Sequence, residues 1–171
     1  MYLRPLKMED APLMLEWMHD DSVVHDLQTD FSTKSIDDCI TFIEKSLNDK
    51  ENLNLAISDD NDEYMGTVSL KHITKEFAEF AIVIRKCAMG SGFSWYGMKN
   101  ILYKALYEYS IDTVYWCVSK NNTRAIKFYD KHGFSESVNV PERIFERYDT
   151  AFTLKWYFVD KNFNFGIKEN P

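Results

Sequence analysis

The chain is poor in the two residues that interrupt regular structure, with 6 glycines and 4 prolines among 171 residues. That is about half the usual share in globular proteins, so most of the chain is expected to be regular helix and strand. Its three cysteines, Cys39, Cys87 and Cys117, stand at unrelated spacings. They exclude a disulfide framework and a zinc site, so no metal is expected and a reduced, cytoplasmic protein is. No apolar run approaches the ~18–20 residues of a membrane helix, and the first ten residues carry charge where a signal peptide is apolar. Positive charge is short as well: 20 Lys and Arg stand against 27 Asp and Glu, a net of −7. This excludes general phosphate-backbone binding, and neither nucleic acid nor membrane is expected as a partner.

What the chain does have is core material, 45% hydrophobic and 15% aromatic residues, enough for one domain of this length. Its charge is uneven. Residues 1–63 hold 5 basic and 16 acidic residues, a net of −11, whereas residues 64–171 net +4. From Arg85 to Lys131 there are 8 basic residues and 3 acidic. Such a division suits either a cationic substrate meeting an anionic cofactor or simply solvated helix faces.

The apolar spacing predicts an extended start at Tyr2–Leu6, a helix over residues 10–19, and a second helix over Ser35–Leu47 with Ser35 as N-cap. Leu53–Ser58 reads as a strand, and Tyr64–Ile73 with Ala78–Arg85 as a hairpin around Thr74–Phe77. An aromatic-rich helix follows over Phe93–Tyr109, then a strand at Thr113–Val118. A short helix runs from Asn122 to Lys131, closed by Gly133 as a left-handed C′ residue. Phe152–Val159 reads as a late strand and Lys161–Pro171 as a tail. The order predicts an α/β or α+β fold with a mixed sheet.

Two segments carry chemistry. In Met89-Gly-Ser-Gly-Phe-Ser94, two glycines one residue apart stand where a strand hands over to a helix. Glycine lets backbone approach a ligand closely, and a helix start offers unpaired N–H groups to an anion. The third glycine of a dinucleotide fingerprint is replaced by Trp95, and no Gly-Lys-Ser/Thr follows, so ATP and NAD are poor fits and another pyrophosphate is expected. Thirty residues on, Asn122 and Tyr129 lie seven apart and share a helix face with Ala125 and Ile126, while Arg124, Lys127 and Lys131 fall on the other side. On spacing alone, Asn122 as a cap and Tyr129 as a core aromatic serve equally well.

The pairing of Met89-Gly-Ser-Gly-Phe-Ser94 with Asn122…Ala125…Phe128-Tyr129…Gly133-Phe134 resembles the GNAT superfamily of acyl-CoA N-acyltransferases. Leu3-Arg-Pro-Leu-Lys-Met-Glu-Asp10, Glu16-Trp17 and Ala78-Glu-Phe80 resemble its branch of ribosomal-protein and spermidine acetyltransferases, and the stretch Gly66–Lys71 is similar to amino-sugar acetyltransferases. The resemblance implies one domain over residues 1–160 and a tail over 161–171. The fold would be a mixed, mostly antiparallel sheet of about six to seven strands flanked by about four helices. It departs from the family loop at Met89, where Gln or Arg is usual, and at Ser94.

The resemblance further implies acetyl-CoA as cofactor and CoA as product. The pantetheine would lie beside Ile82, Val83 and Ile84, the pyrophosphate on Met89, Gly90, Ser91, Gly92, Phe93 and Ser94. Asn122, Arg124, Ala125 and Lys127 would contact the cofactor, and Tyr129 would meet the departing thiolate as acid, a task a neutral phenol suits. The amine must lose a proton, and Glu79 is the first candidate base with His72 the second. Asp30 would orient the amine. Ser69 and Lys71 on the third strand suit an acceptor with a negative charge of its own. Cys117, without an adjacent cation, reads as a buried hydrophobe, so transfer is expected to be direct in a ternary complex. The acceptor is expected to be a small-molecule amine, such as an amino sugar, or a protein N-terminus. The alternatives are a polyamine acetyltransferase, a non-catalytic acyl-CoA-binding module and a purely structural domain. The aromatic strand 152–158, with Phe163 and Phe165, would serve either the core or a homodimer interface.

Overall fold

The computed structural model describes residues 1–148 and 153–166. Seven strands form one sheet in the order β1-β2-β3-β4-β5-β7-β6. They are β1 (Tyr2–Pro5), β2 (Leu53–Ser58), β3 (Tyr64–Lys71), β4 (Phe77–Ile84), β5 (Thr113–Ser119), β6 (Ser135–Glu136) and β7 (Leu154–Asp160). All neighbours are antiparallel except β4 and β5. The helices are α1 (Ala11–Met18), α2 (Asp21–Val24), α3 (Ile36–Asn48), α4 (Phe93–Tyr103), α5 (Thr123–Lys131) and α6 (Glu142–Phe145). The mostly antiparallel mixed sheet and the four longer helices match the expected α/β fold. The very short α2, β6 and α6 had no sequence signature. Phe152 of the expected late strand and residues 167–171 of the expected tail lie outside the described residues, and among the described residues no helix is long and apolar enough to cross a membrane.

Capping follows the sequence. Ser35 accepts from the Asp38 N–H while the Asp38 carboxylate accepts from the Ser35 N–H, a reciprocal pair that starts α3. At the end of α5, Phe134 N–H donates to the Tyr129 carbonyl and Gly133 N–H to that of Asp130, with Gly133 at φ +78°. This closure fixes the helix end just beyond Tyr129.

Alternation along the strands divides the sheet into two faces. Ile57, Val68, Leu70, Phe80, Val114 and Trp116 pack with Met98, Ile101 and Leu102 of α4 and with Tyr129 of α5. The opposite face takes α1 and α3 through Ala11, Met14, Trp17, Ile43, Ala56 and Tyr64. Farther along, a smaller cluster of Phe77, Ile144, Leu154 and Trp156 covers it. Tyr157 and Phe165 are buried, and Phe163 packs on the same core, so these aromatics serve the core.

A buried ion pair joins β1 to the start of α1. Arg4 donates to both Asp10 oxygens at 2.7 and 2.8 Å, with side chains 8% and 4% exposed, and Asp10 also accepts from the Lys7 N–H. Removing one partner of a buried pair leaves the other charge uncompensated. Asp10→Ala should therefore lower the unfolding free energy by about 3–5 kcal/mol, measured by urea denaturation, and a loss below about 1 kcal/mol would show that Asp62 alone satisfies Arg4.

Candidate active site

β4 and β5 pair only at Phe77–Thr113, Ala78–Val114 and Glu79–Tyr115. Beyond Glu79 each strand keeps its other neighbour, β3 for β4 and β7 for β5. The two strands part, and Phe80–Ile84 is left without a strand partner on that side. Ile82, Val83 and Ile84, expected along the cofactor, lie on this open stretch.

At the carboxyl end of β4, Arg85 anchors the chain. Buried itself, it donates to Glu16 of α1 at 3.0 Å, to Glu63 at 2.7 Å and to the Tyr64 carbonyl at 2.9 Å. The glycine loop begins four residues on. Gly90 and Gly92 adopt φ of +79° and +89°, a region that disfavours other residues, and Gly92 is the N-cap of α4. The first helical bond is Tyr96 N–H to Gly92 O. Among the described residues, the backbone N–H groups of Gly90, Gly92, Phe93, Ser94 and Trp95 therefore donate to no protein acceptor. Unpaired donors at the positive end of a helix dipole fit a pyrophosphate. Met89 turns its sulfur to the Arg124 guanidinium, 3.1 Å away, so α5 brings a cation to the loop position that lacks one. Trp95 stacks on His132 at 3.9 Å between ring centroids, tying the start of α4 to the end of α5.

Asn122 caps α5, its side-chain oxygen accepting from the Ala125 N–H at 2.9 Å. That bond takes up the Ala125 N–H and leaves the Asn122 amide NH2 as the group able to reach a ligand. Lys127 is exposed on the outer side of α5. Tyr129 is 7% exposed, its ring edge-on to Trp116 at 5.5 Å and 4.9 Å from Tyr157. It is thus the core aromatic that the spacing allowed. Among the described residues its hydroxyl has no hydrogen-bond partner. Burial first, then the neighbouring Cys117 and Tyr157, push its pKa up. The phenol stays protonated and can donate.

Glu79 lies on the other face at the last β4–β5 pair. It is 3% exposed; Tyr148 donates to one oxygen at 2.8 Å and Arg147 to the other. Both oxygens of Glu79, the first candidate base, are thus engaged, one by an ion pair and the other by a hydrogen bond. His72 stands one residue past β3 rather than within it, at φ +51°, its Nε2 4.0 Å from Glu79. Lys71 is exposed and in register with Glu79. Ser69, expected to face the acceptor, is buried and donates to Asn54 at 2.6 Å. Asp30 is exposed, and its pKa is lowered by accepting from the Ser32 backbone and hydroxyl. It lines a cleft of about 480 Å³ with His19, His25 and Phe31, which Glu79, His72, Ser69 and Lys71 do not line. The structure brings Glu79, His72 and Lys71 together and leaves Asp30 apart. Arg147 and Tyr148, which follow α6, had no periodic signal to mark them.

Comparison with known proteins agrees with this geometry. The family model described as an acetyltransferase (GNAT) domain matches residues 1–135. No curated protein matches the sequence. Among solved structures, spermidine N-acetyltransferase from Vibrio cholerae in complex with CoA and spermine superposes with a TM-score of 0.77 at 20% identity, over 94% of this chain and 95% of that one. A chimera of the Vibrio cholerae enzyme and hSSAT gives 0.74 at 20% identity, over 95% of this chain and 97% of that one. With the parted strands, the glycine cradle and a family model covering most of its length, the chain belongs to the GNAT acetyltransferase family.

Proposed function

We propose that the chain transfers an acetyl group from acetyl-CoA directly to a primary amine of a small molecule. The observation that carries this reading is the combination of parted β4 and β5 with the row of unpaired N–H groups at Gly90 to Trp95. An extended pantetheine arm fits beside Ile82–Ile84, and a pyrophosphate fits the loop. Arg124 at Met89 adds a positive charge there, and the Asn122 amide adds a donor. Acetyl-CoA supplies an activated acetyl thioester when bound. Tyr129, protonated and without a protein partner, offers its O–H where negative charge develops on sulfur. Cys117 does not act as a nucleophile in this reading, because burial pushes its thiol up to about 11 and the thiol, not the thiolate, prevails near neutrality. CoA and spermine in the Vibrio cholerae structure support an amine as acceptor. A protein N-terminus and an amino sugar present the same chemical group, and a panel distinguishes them.

Acetyl-CoA at 100 times its Kd should stabilise the protein by about 2.7 kcal/mol, a rise in Tm of about 5–10 °C at this size; no shift would contradict the cofactor site. Thiol release measured with polyamines, amino-sugar nucleotides and N-terminal peptides side by side should show turnover on at least one class. Binding without turnover on any amine would favour a non-catalytic acyl-CoA module. Tyr129→Phe should lower kcat about 100-fold while the thermal shift with acetyl-CoA persists, and unchanged turnover would remove Tyr129 as the acid.

A further inference from the structure

The group that deprotonates the amine is identified by a cluster at the vertex where β4 and β5 part. Glu79 has no oxygen to spare. Arg147 and His72 face Oε1, and Tyr148 donates to Oε2. A carboxylate so occupied is a firm anchor. His72 differs from it in every relevant respect: its side chain is 46% exposed and open to an incoming ammonium ion. Its backbone is held at φ +51°, uncommon for a residue with a side chain, and is secured by its N–H donating to Asn52 Oδ1 at 2.9 Å. Strain kept in place by surrounding bonds concentrates at functional positions.

We propose that His72 is the base that frees the acceptor amine, with Glu79 as its positioning carboxylate. The assignment rests on the acetyl-transfer reading above. Nε2 faces Glu79; with the ring hydrogen directed to that carboxylate, Nδ1 is left as the nitrogen that accepts a proton. Nδ1 takes one proton from the ammonium, giving imidazolium and a neutral amine whose lone pair is then free to form the new N–C bond. The proton returns to solvent from the exposed ring. The 4.0 Å separation is longer than a hydrogen bond, as is common in ligand-free sites, and shortens when the ring becomes charged. The groups around this pair are Lys71 beside His72, Arg147 and Tyr148 from the segment after α6, and Cys117 on β5, which both Glu79 and Lys71 influence. With Arg147 neutralising Glu79, Lys71 is left as a net positive charge at the mouth, which disfavours a second ammonium on His72's acceptor close to the vertex.

The test is the pH dependence of kcat/KM in wild type and His72→Gln, with the amine found by the panel. His72 is largely exposed, so the variant should keep the wild-type Tm and the wild-type thermal shift with acetyl-CoA. It should lose about 100-fold in kcat/KM at pH 7 and the wild-type limb on the acid side. Glu79→Gln, which removes the carboxylate that positions the ring, should lower kcat while leaving the KM for acetyl-CoA unchanged. A His72→Gln enzyme with the wild-type profile overturns the assignment alone. A wild type that turns over no amine overturns the acetyl-transfer reading, and this assignment with it.

Discussion

The separation of β4 from β5 after three residue pairs governs the rest of the molecule. Along the gap both strands stay paired on their far sides, so the gap is built into the sheet and needs no lid or hinge to hold it open. It leaves backbone groups on the inner edges that must find a partner other than a strand. Because β4 and β5 are the parallel pair, their carboxyl ends point the same way. The glycine loop after β4 and the Asn122 cap after β5 are thereby delivered to one side of the sheet. The contact of Arg124 with Met89 and the stacking of Trp95 on His132 record that meeting.

The two faces of the sheet then divide the chemistry. On one, α4 and α5 bury Tyr129 among aromatics, a setting that keeps the phenol neutral. On the other, the vertex holds Glu79, Arg147, Tyr148, Lys71 and His72. The charge asymmetry of the sequence maps onto this division. The basic stretch from Arg85 to Lys131 includes the glycine loop and both ends of α5, while the acidic first third supplies α1, α2 and α3 on the opposite face. Arg85 links the two, clamping the end of β4 to Glu16 and Glu63.

The elements that dictate their own local structure were legible in the sequence: the Ser35 cap, the Gly133 closure, the long strands and the two helices after the glycine loop and after Asn122. That Asn122 and Tyr129 share a face of α5 was legible from helical spacing, whereas their pairing with the glycine motif came from the resemblance to a family. The surroundings of the candidate residues on β3 and β4 were not legible. These strands are central and covered on both faces, so Ser69 and Glu79, which a half-exposed strand would have presented to solvent, are buried and spent on Asn54 and Arg147. Asp30 is spent on its own turn. Arg147 and Tyr148 follow α6, a four-residue helix whose position is set by packing against Phe77 and Trp156 rather than by propensity, and no local signal places such a segment over the sheet.

The central claim is that the row of N–H groups from Gly90 to Trp95 receives the phosphates of acetyl-CoA. The most direct measurement is a titration of 15N-labelled protein with CoA, followed by NMR. The amide signals of Gly90, Gly92, Phe93, Ser94 and Trp95 are expected to move together and saturate at one Kd, with smaller movements along Phe80–Ile84. Saturable binding that leaves these five amides unmoved and shifts residues elsewhere would contradict the account.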